Sequence, residues 1–304
     1  MSAVDRSEQT ALERFMKLSI AAAVATILLK TLAAWLTGSV GFLSDALESI
    51  VNLVAAIAGF IALRVAVKPA DKDHHFGHGK AEYVSALLEG ALIFVAAGMI
   101  LWSAANRLIH LQPLEQPGLG LLLSTAASVL NLVVGLALLR AGKTYRSATL
   151  DADGKHLLTD VWTSVGVLVG IAAVWLTGWL WLDPVIALAV GINIMWTGYQ
   201  LLRDSLSGLL SESLPVEENA ALDELLARVA PAHGLTITQR RTVAFGRQRF
   251  IYLTADVDPT WTVLASHQAA DALEDDVDGL FPGAEVFIHL EPAGVEHRRM
   301  LHMR

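Results

Sequence analysis

The chain has 304 residues, 54% of them apolar and only 17% charged, and its mean hydropathy is +0.50. Soluble domains carry about 25% charged residues, so this composition excludes a disordered chain and argues against a purely soluble enzyme. A net charge of −8 and a pI near 5.7 leave no basic footprint for nucleic acid. With no cysteine, disulfides, thiolate metal sites and thiol nucleophiles are all removed. Ten histidines remain, so any metal chemistry has to use imidazole and oxygen donors.

Residues 1–14 form a polar tail with Asp5, Glu8 and Glu13, and no cleavable signal peptide is expected. Residues 15–210 then read as a series of apolar runs. A membrane-spanning helix needs about 20 such residues, and candidate spans fall at 15–37, 40–66, 82–108, 118–140, 157–178 and 184–207. Arg64, Lys68, Lys72 and Lys80, then Arg140, Lys143, Arg146 and Lys155, collect in alternate loops, while the Thr37-Gly38-Ser39 turn is uncharged. Positive loops face the cytoplasm, so both termini are expected there. Trp35, Trp102, Trp179 and Trp181 stand near the outer span ends, as an interfacial belt requires.

Residues 211–304 have the composition of a soluble domain. Helical spacing runs over 217–230, strands over 236–244 and 248–257 with Phe245-Gly246-Arg247 as the turn, a helix over 265–280 and a strand over 284–290. The predicted fold class is a six-helix transmembrane domain followed by a C-terminal cytoplasmic α+β domain of order αββαβ.

Ionisable groups within membrane spans are costly and point to function. The second span contains Asp45, Glu48, Ser49 and Asn52, and the fifth opens with His156 and Asp160. Residues four apart share a helix face. Two facing helices that each present such a pair can close a tetrahedral site of imidazole and oxygen ligands. Glu48 with Asn52 matches the depth of His156 and Asp160 better than Asp45 with Ser49, which stays as the alternative pair. Lys30 and Glu89 read as a structural pair or snorkelling side chains, and Asn131 as an interhelical hydrogen bonder. In the loop after the second span, Asp71, His74 and His78 can be brought round one ion if Gly77 and Gly79 make the turn tight; a solvated polar loop is the plain alternative.

These residues carry a family resemblance along essentially the whole chain. Gly38-Ser39-Val40, the run His75-Phe76-Gly77-His78-Gly79-Lys80-Ala81-Glu82, and His156-Leu157-Leu158-Thr159-Asp160 resemble motifs of the cation diffusion facilitator family of divalent metal/proton antiporters. The resemblance implies a homodimer with a ferredoxin-like cytoplasmic domain. It places transport ligands on Glu48, Asn52, His156 and Asp160, and a loop site on Asp71, His74 and His78. In the cytoplasmic domain it points to His267, His289 and Glu291 as metal ligands at the dimer interface. Three features depart from the pattern of zinc-exporting members: Glu48 and Asn52 in the second span, Thr238 and Thr254 where histidines often stand, and Ser211 where an acid can pair with the partner's residue matching Lys80.

The expected function is efflux of a divalent metal in exchange for protons from a bacterial cytoplasm across the inner membrane. Zinc is the first choice, with iron, cadmium, cobalt, nickel and manganese as chemical alternatives. No prosthetic group is expected; the partners are the metal ion, protons and membrane lipid. An imidazole ordinarily titrates near pH 6.5, and metal binding requires it neutral, so protons and metal compete for one site. A metal sensor or scaffold without transport is the second reading. A metal-dependent membrane enzyme is the third, and no HExxH pair supports it.

Overall fold

The computed structural model describes residues 3–37, 40–110 and 119–294. It divides into two compact units, Met1–Leu209 and Leu210–Arg304. The first consists of long helices: α1 (Ala3–Thr37), α2 (Val40–Ala66), α3 (Ala81–Ile109), α4 (Leu119–Tyr145), α5 (Ala148–Thr177) and α6 (Leu182–Leu209). Among the described residues, Glu8–Ala33, Ala81–Ile109, Leu122–Tyr145 and Pro184–Leu209 are long and apolar enough to cross a membrane, and Leu53–Ala66 is a shorter apolar stretch. The first half of α5 is interrupted by Asp151, Asp153, Lys155 and Asp160, which lowers its hydropathy.

Many large apolar side chains of this unit face outward, while small residues fill much of the helix contacts. Ala23, Ala33, Ala55, Ala56, Ala86, Ala97 and Ala152 are buried, whereas Leu28, Ile61, Val95, Met99, Leu122 and Ile192 are exposed. In hydrocarbon nothing drives leucine inward, and small residues allow helix backbones to approach closely. Trp35, Trp102, Trp179 and Trp181 are exposed as well, in keeping with an interfacial belt.

Two helix starts differ from the sequence expectation. The stretch 1–14, expected as a free tail, is helical from Ala3 onward. Leu12 and Met16 are fully buried in a cluster with Leu63, Leu138 and Leu150, and Glu13 pairs with Arg64 at 3.4 Å. The fifth helix begins at Ala148 rather than at 157. Ser147 takes extended backbone angles and its hydroxyl accepts the Leu150 N–H at 3.4 Å, the geometry of a serine N-cap. The charged residues after it lie inside the helix, one or more turns before His156.

α5 touches each of the other five helices. Its crossing with α4 is set by glycine: a Cβ on Gly154 would stand 3.0 Å from both the Gly135 carbonyl oxygen and the Leu139 backbone nitrogen. The two backbones therefore meet directly, which places Asn131 of α4 against the polar stretch of α5.

The second unit runs α7 (Val216–Val229), a short 3₁₀ turn, β1 (Thr236–Phe245), β2 (Gln248–Val257), α8 (Val263–Leu280) and β3 (Glu285–Pro292). The sheet order is β1-β2-β3. β1 and β2 are antiparallel, and β3 returns parallel to β2 after the α8 crossover. Phe245 pairs with Gln248, so the hairpin turn is Gly246-Arg247 and Phe245 belongs to the strand. Leu222 and Leu226 of α7, Ile251, Leu253 and Ala255 of β2, and Leu273 and Val277 of α8 form the core. Arg249 is buried and holds Glu218 through both carboxylate oxygens, at 2.7 and 3.1 Å.

Candidate metal sites

His156 and Asp160 lie on the third and fourth turns of α5, one helical turn apart. His156 is buried, at 7% exposure. Asp160 Oδ2 accepts a hydrogen bond from Asn131 Nδ2 on α4 at 3.2 Å, and Asn131 is itself buried. The Asp160 backbone carbonyl accepts from Thr163 and Ser164, and Ser128 of α4 donates to Ser164 at 2.6 Å. A ladder of small polar groups thus ties α4 to α5 around the aspartate. Among these groups Asn131 is the interhelical bonder that the sequence indicated; its target, Asp160, is a tertiary fact.

α2 packs against α5 and carries the expected partners on one continuous helix. Ser49 is buried. The side chains of Asp45, Glu48 and Asn52 lie outside the described residues. Lys30 and Glu89 are at 5% and 1% exposure, so neither snorkels. The charged groups that act on Glu89 are the acids Asp153 and Asp151.

In the loop between α2 and α3, one ligand atom each from Asp71, His74 and His78 lie within 4.8 Å of one another. Asp71 Oδ1 accepts the backbone N–H groups of Asp73 and His74, at 2.9 and 2.8 Å, which fixes the carboxylate plane. Those two donors hold the Asp71 carboxyl below its ordinary range. Its other oxygen, Oδ2, faces His78 Nε2 at 3.4 Å, and His74 Nδ1 stands 3.4 Å from Oδ1. The edges of a tetrahedral zinc site with bonds of about 2.0–2.1 Å are about 3.3 Å; each imidazole stands at that separation from the Asp71 carboxylate, one from each oxygen. Gly77 adopts a φ of 81° that only glycine takes readily. Gly79, expected to share this role, has no positive φ among the described backbone. His75 turns away and its ring nitrogen meets the Lys72 carbonyl at 3.2 Å.

The cytoplasmic-domain residues are not gathered into one set within a single chain. His289 Nε2 is 3.3 Å from Glu291 Oε1 on β3, whereas His267 is 3.3 Å from Asp271 on α8. Among the described residues, Asp71, His74 and His78 are the group of three that could hold one ion. Thr238 and Thr254 stand together, with Thr238 donating to the Thr254 carbonyl at 3.3 Å, and Thr254 is in register with His289. Glu274, on the same helix as His267, has its carboxyl raised by burial first and by neighbouring Asp271 second. Lys80 Nζ donates to the Leu209 carbonyl at the C-terminus of α6, at 2.8 Å, where cationic groups are favoured.

Sequence reasoning missed Ser19 of α1 and Thr149 and Asp153 of α5, which are all buried. Asp153 and Thr149 precede the expected start of the fifth span. Only the helix N-cap at Ser147 moves them inside the bundle.

Residues 16–210 match the family model for the cation efflux transmembrane domain, and residues 214–293 match that for the cation efflux protein cytoplasmic domain. An uncharacterized transporter of Synechocystis sp. is 49% identical over 275 residues, covering 90% of this chain and 88% of its own. The cation-efflux pump FieF of Escherichia coli is 30% identical over 275 residues, covering 90% of each chain. The FieF pump of Cronobacter sakazakii is 31% identical over 280 residues, covering 90% of this chain and 91% of its own.

Proposed function

The chain belongs to the cation efflux (cation diffusion facilitator) family, a family of transporters and not of enzymes, and on that premise we propose that it exports a divalent transition metal, zinc foremost, in exchange for protons. The observation that carries this reading is the pair His156 and Asp160 on one face of α5. His156 is buried, Asp160 is oriented by Asn131, and α2 packs alongside.

Glu48 and Asn52 of α2 complete the transport site in this reading, with Asp45 and Ser49 as the competing pair. Two carboxylates balance the charge of the dication, and the imidazole adds a nitrogen donor that acid removes. Loading at a cytoplasm of higher pH requires His156 neutral and Asp160 ionised. Exposure to a more acidic exterior protonates both and expels the metal. Rocking of the helices alternates access without a covalent step.

Asp71, His74 and His78 hold a second ion in the loop, supported by the approach of both imidazoles to the Asp71 carboxylate. His267, His289 and Glu291 take a third, which needs groups from more than one chain, in line with a homodimer. The αββαβ order supports a ferredoxin-like cytoplasmic domain, and the six helices support six spans, with both termini in a bacterial cytoplasm. The test is uptake into proteoliposomes enclosing a pH-sensitive dye. Metal addition should drive proton counterflow in the wild type and none in Asp160→Ala. Retained metal-driven proton flux in that variant would overturn the exchange mechanism.

A further inference from the structure

Buried hydroxyls in helices ordinarily donate to a carbonyl one turn back, and Thr26, Thr159 and Ser164 do so. Ser19 does not, and Thr149, the second residue of α5, has no carbonyl one turn back within its helix. Thr149 Oγ1, Ser19 Oγ, Glu89 Oε2 and Asp153 Oδ2 are all buried without a hydrogen bond among the described residues, and their residues are 0%, 1%, 1% and 3% exposed.

The four oxygens come from one neighbourhood. Ser19 of α1 stands at the edge of hydrogen-bonding range of Asp153, and Asp153 lies within electrostatic reach of Glu89 on α3. A methyl placed on Gly59 of α2 would touch Thr149 Cγ2 at 3.0 Å and Glu89 Oε1 at 3.3 Å. Thr149 and Asp153 are four apart on α5 and so share a face. Four separate helices therefore enclose two carboxylates, the Thr149 hydroxyl and the Ser19 hydroxyl that reaches Asp153.

Among the described residues, no lysine or arginine acts on Glu89 or Asp153, and the imidazole of His156 is the basic group that reaches Asp153. The acids Asp153 and Asp151 act on Glu89 alongside Ser85, and Ser19 and His156 act on Asp153. Lys155 is held by Asp151 at 2.7 Å. Lys30 is eleven residues along α1 from Ser19, about 16 Å at 1.5 Å per residue. Two buried carboxylates with neutral oxygen donors beside them form a donor set for a hard divalent cation.

We propose that Glu89 and Asp153, with Ser19 and Thr149, form an intramembrane all-oxygen site for a divalent cation, a station before the exported ion reaches His156 and Asp160. The place of the site in a transport path rests on the efflux reading; the site itself does not. Asp153 is seven residues before Asp160 on α5, about 10 Å nearer the helix start, on the side where the Asp71 loop joins α3. Glu82, also buried, lies two turns closer to that loop and accepts from Ser147. Polar groups thus line a column from the loop to the transport pair. With oxygen alone among its four donors, the station takes hard and borderline dications alike and leaves discrimination to His156.

The test uses the full chain in lipid nanodiscs with Mn²⁺ as probe, counting bound ions by equilibrium dialysis and electron paramagnetic resonance. The double substitution Glu89→Gln with Asp153→Asn should remove one Mn²⁺ per chain and slow efflux in inverted vesicles by about tenfold or more. His74→Ala with His78→Ala should remove a different ion, so that the two losses add. Ser19→Ala and Thr149→Val should each weaken the station several-fold, and they carry the test if the double variant does not fold. An unchanged Mn²⁺ count and affinity in these variants overturns the proposal, leaving the carboxyls as protonated structural groups. A wild type that binds this ion but moves no metal overturns the efflux reading instead; metal transport without this ion overturns the station alone.

Discussion

Asn131 on α4 donates to Asp160 on α5 through Nδ2 and Oδ2 at 3.2 Å, with Asn131 only 2% exposed. An amide donor aimed at one carboxylate oxygen fixes the plane of the Asp160 side chain. Asn131→Ala is expected to weaken apparent metal affinity in transport by about 10–100-fold, with the maximal rate less affected. A metal titration of initial rates in proteoliposomes checks it. Unchanged affinity would reduce Asn131 to a strut between helices.

The loop site makes a separate prediction. Asp71→Asn keeps the side chain's shape and its acceptor for the Asp73 and His74 N–H groups but removes the charge. Zinc binding measured by calorimetry should lose one site per chain in Asp71→Asn and in His78→Ala. Asp160→Ala should retain it. Loss of the same site in Asp160→Ala would mean that the loop and the helix pair bind one ion together.

Gly154→Ala tests the α4–α5 crossing. The added carbon would meet the Gly135 carbonyl oxygen and the Leu139 backbone at 3.0 Å, below ordinary contact. Overpacking of this kind costs about 1–3 kcal/mol. Thermal unfolding in detergent should show the loss, and metal affinity should fall with it because the Asn131–Asp160 bond spans the same crossing. An undisturbed melting temperature would show that the helices separate freely there.

In the second unit, Arg249→Ala leaves Glu218 without its bidentate partner. Removing one member of a fully buried ion pair costs about 3–5 kcal/mol, and the half-buried Glu218 places this loss below that range. The expected readout is lost hydrogen-exchange protection across β1 and β2, with the helical unit unaffected. Retained protection would assign the strand pair's stability to its apolar face alone.

Glu274 offers a pH test. Its carboxyl is raised by burial and by Asp271, so folding disfavours the charged form. A group raised in the folded state contributes stability below its unfolded pKa and loses it as pH rises through the folded one. Glu274→Gln should therefore gain stability over wild type above the ordinary carboxylate range and show no gain in acid. The effect is small because most of the group is solvated. Melting curves of the two proteins over that pH range decide it, and a gain that persists in acid would contradict the cause.

Apolar runs, their charged loops and the αββαβ order were legible because each depends on local pattern: hydrophobic length for spans, period for helices and strands. The spacing of His156 with Asp160, and of Asp71 with His74 and His78, was legible for the same reason, since i, i+4 partners and a glycine turn act over a few residues. The true start of α5 depended on one serine cap, which places Thr149 and Asp153 within the bundle rather than in a loop. That Asn131 reaches Asp160, that Glu89 meets acids, and that Ser19 arrives from α1 were decided by which helix faces which. Such contacts follow from close packing of small residues in a medium where apolar side chains gain nothing by turning inward, and no one-dimensional pattern encodes that choice.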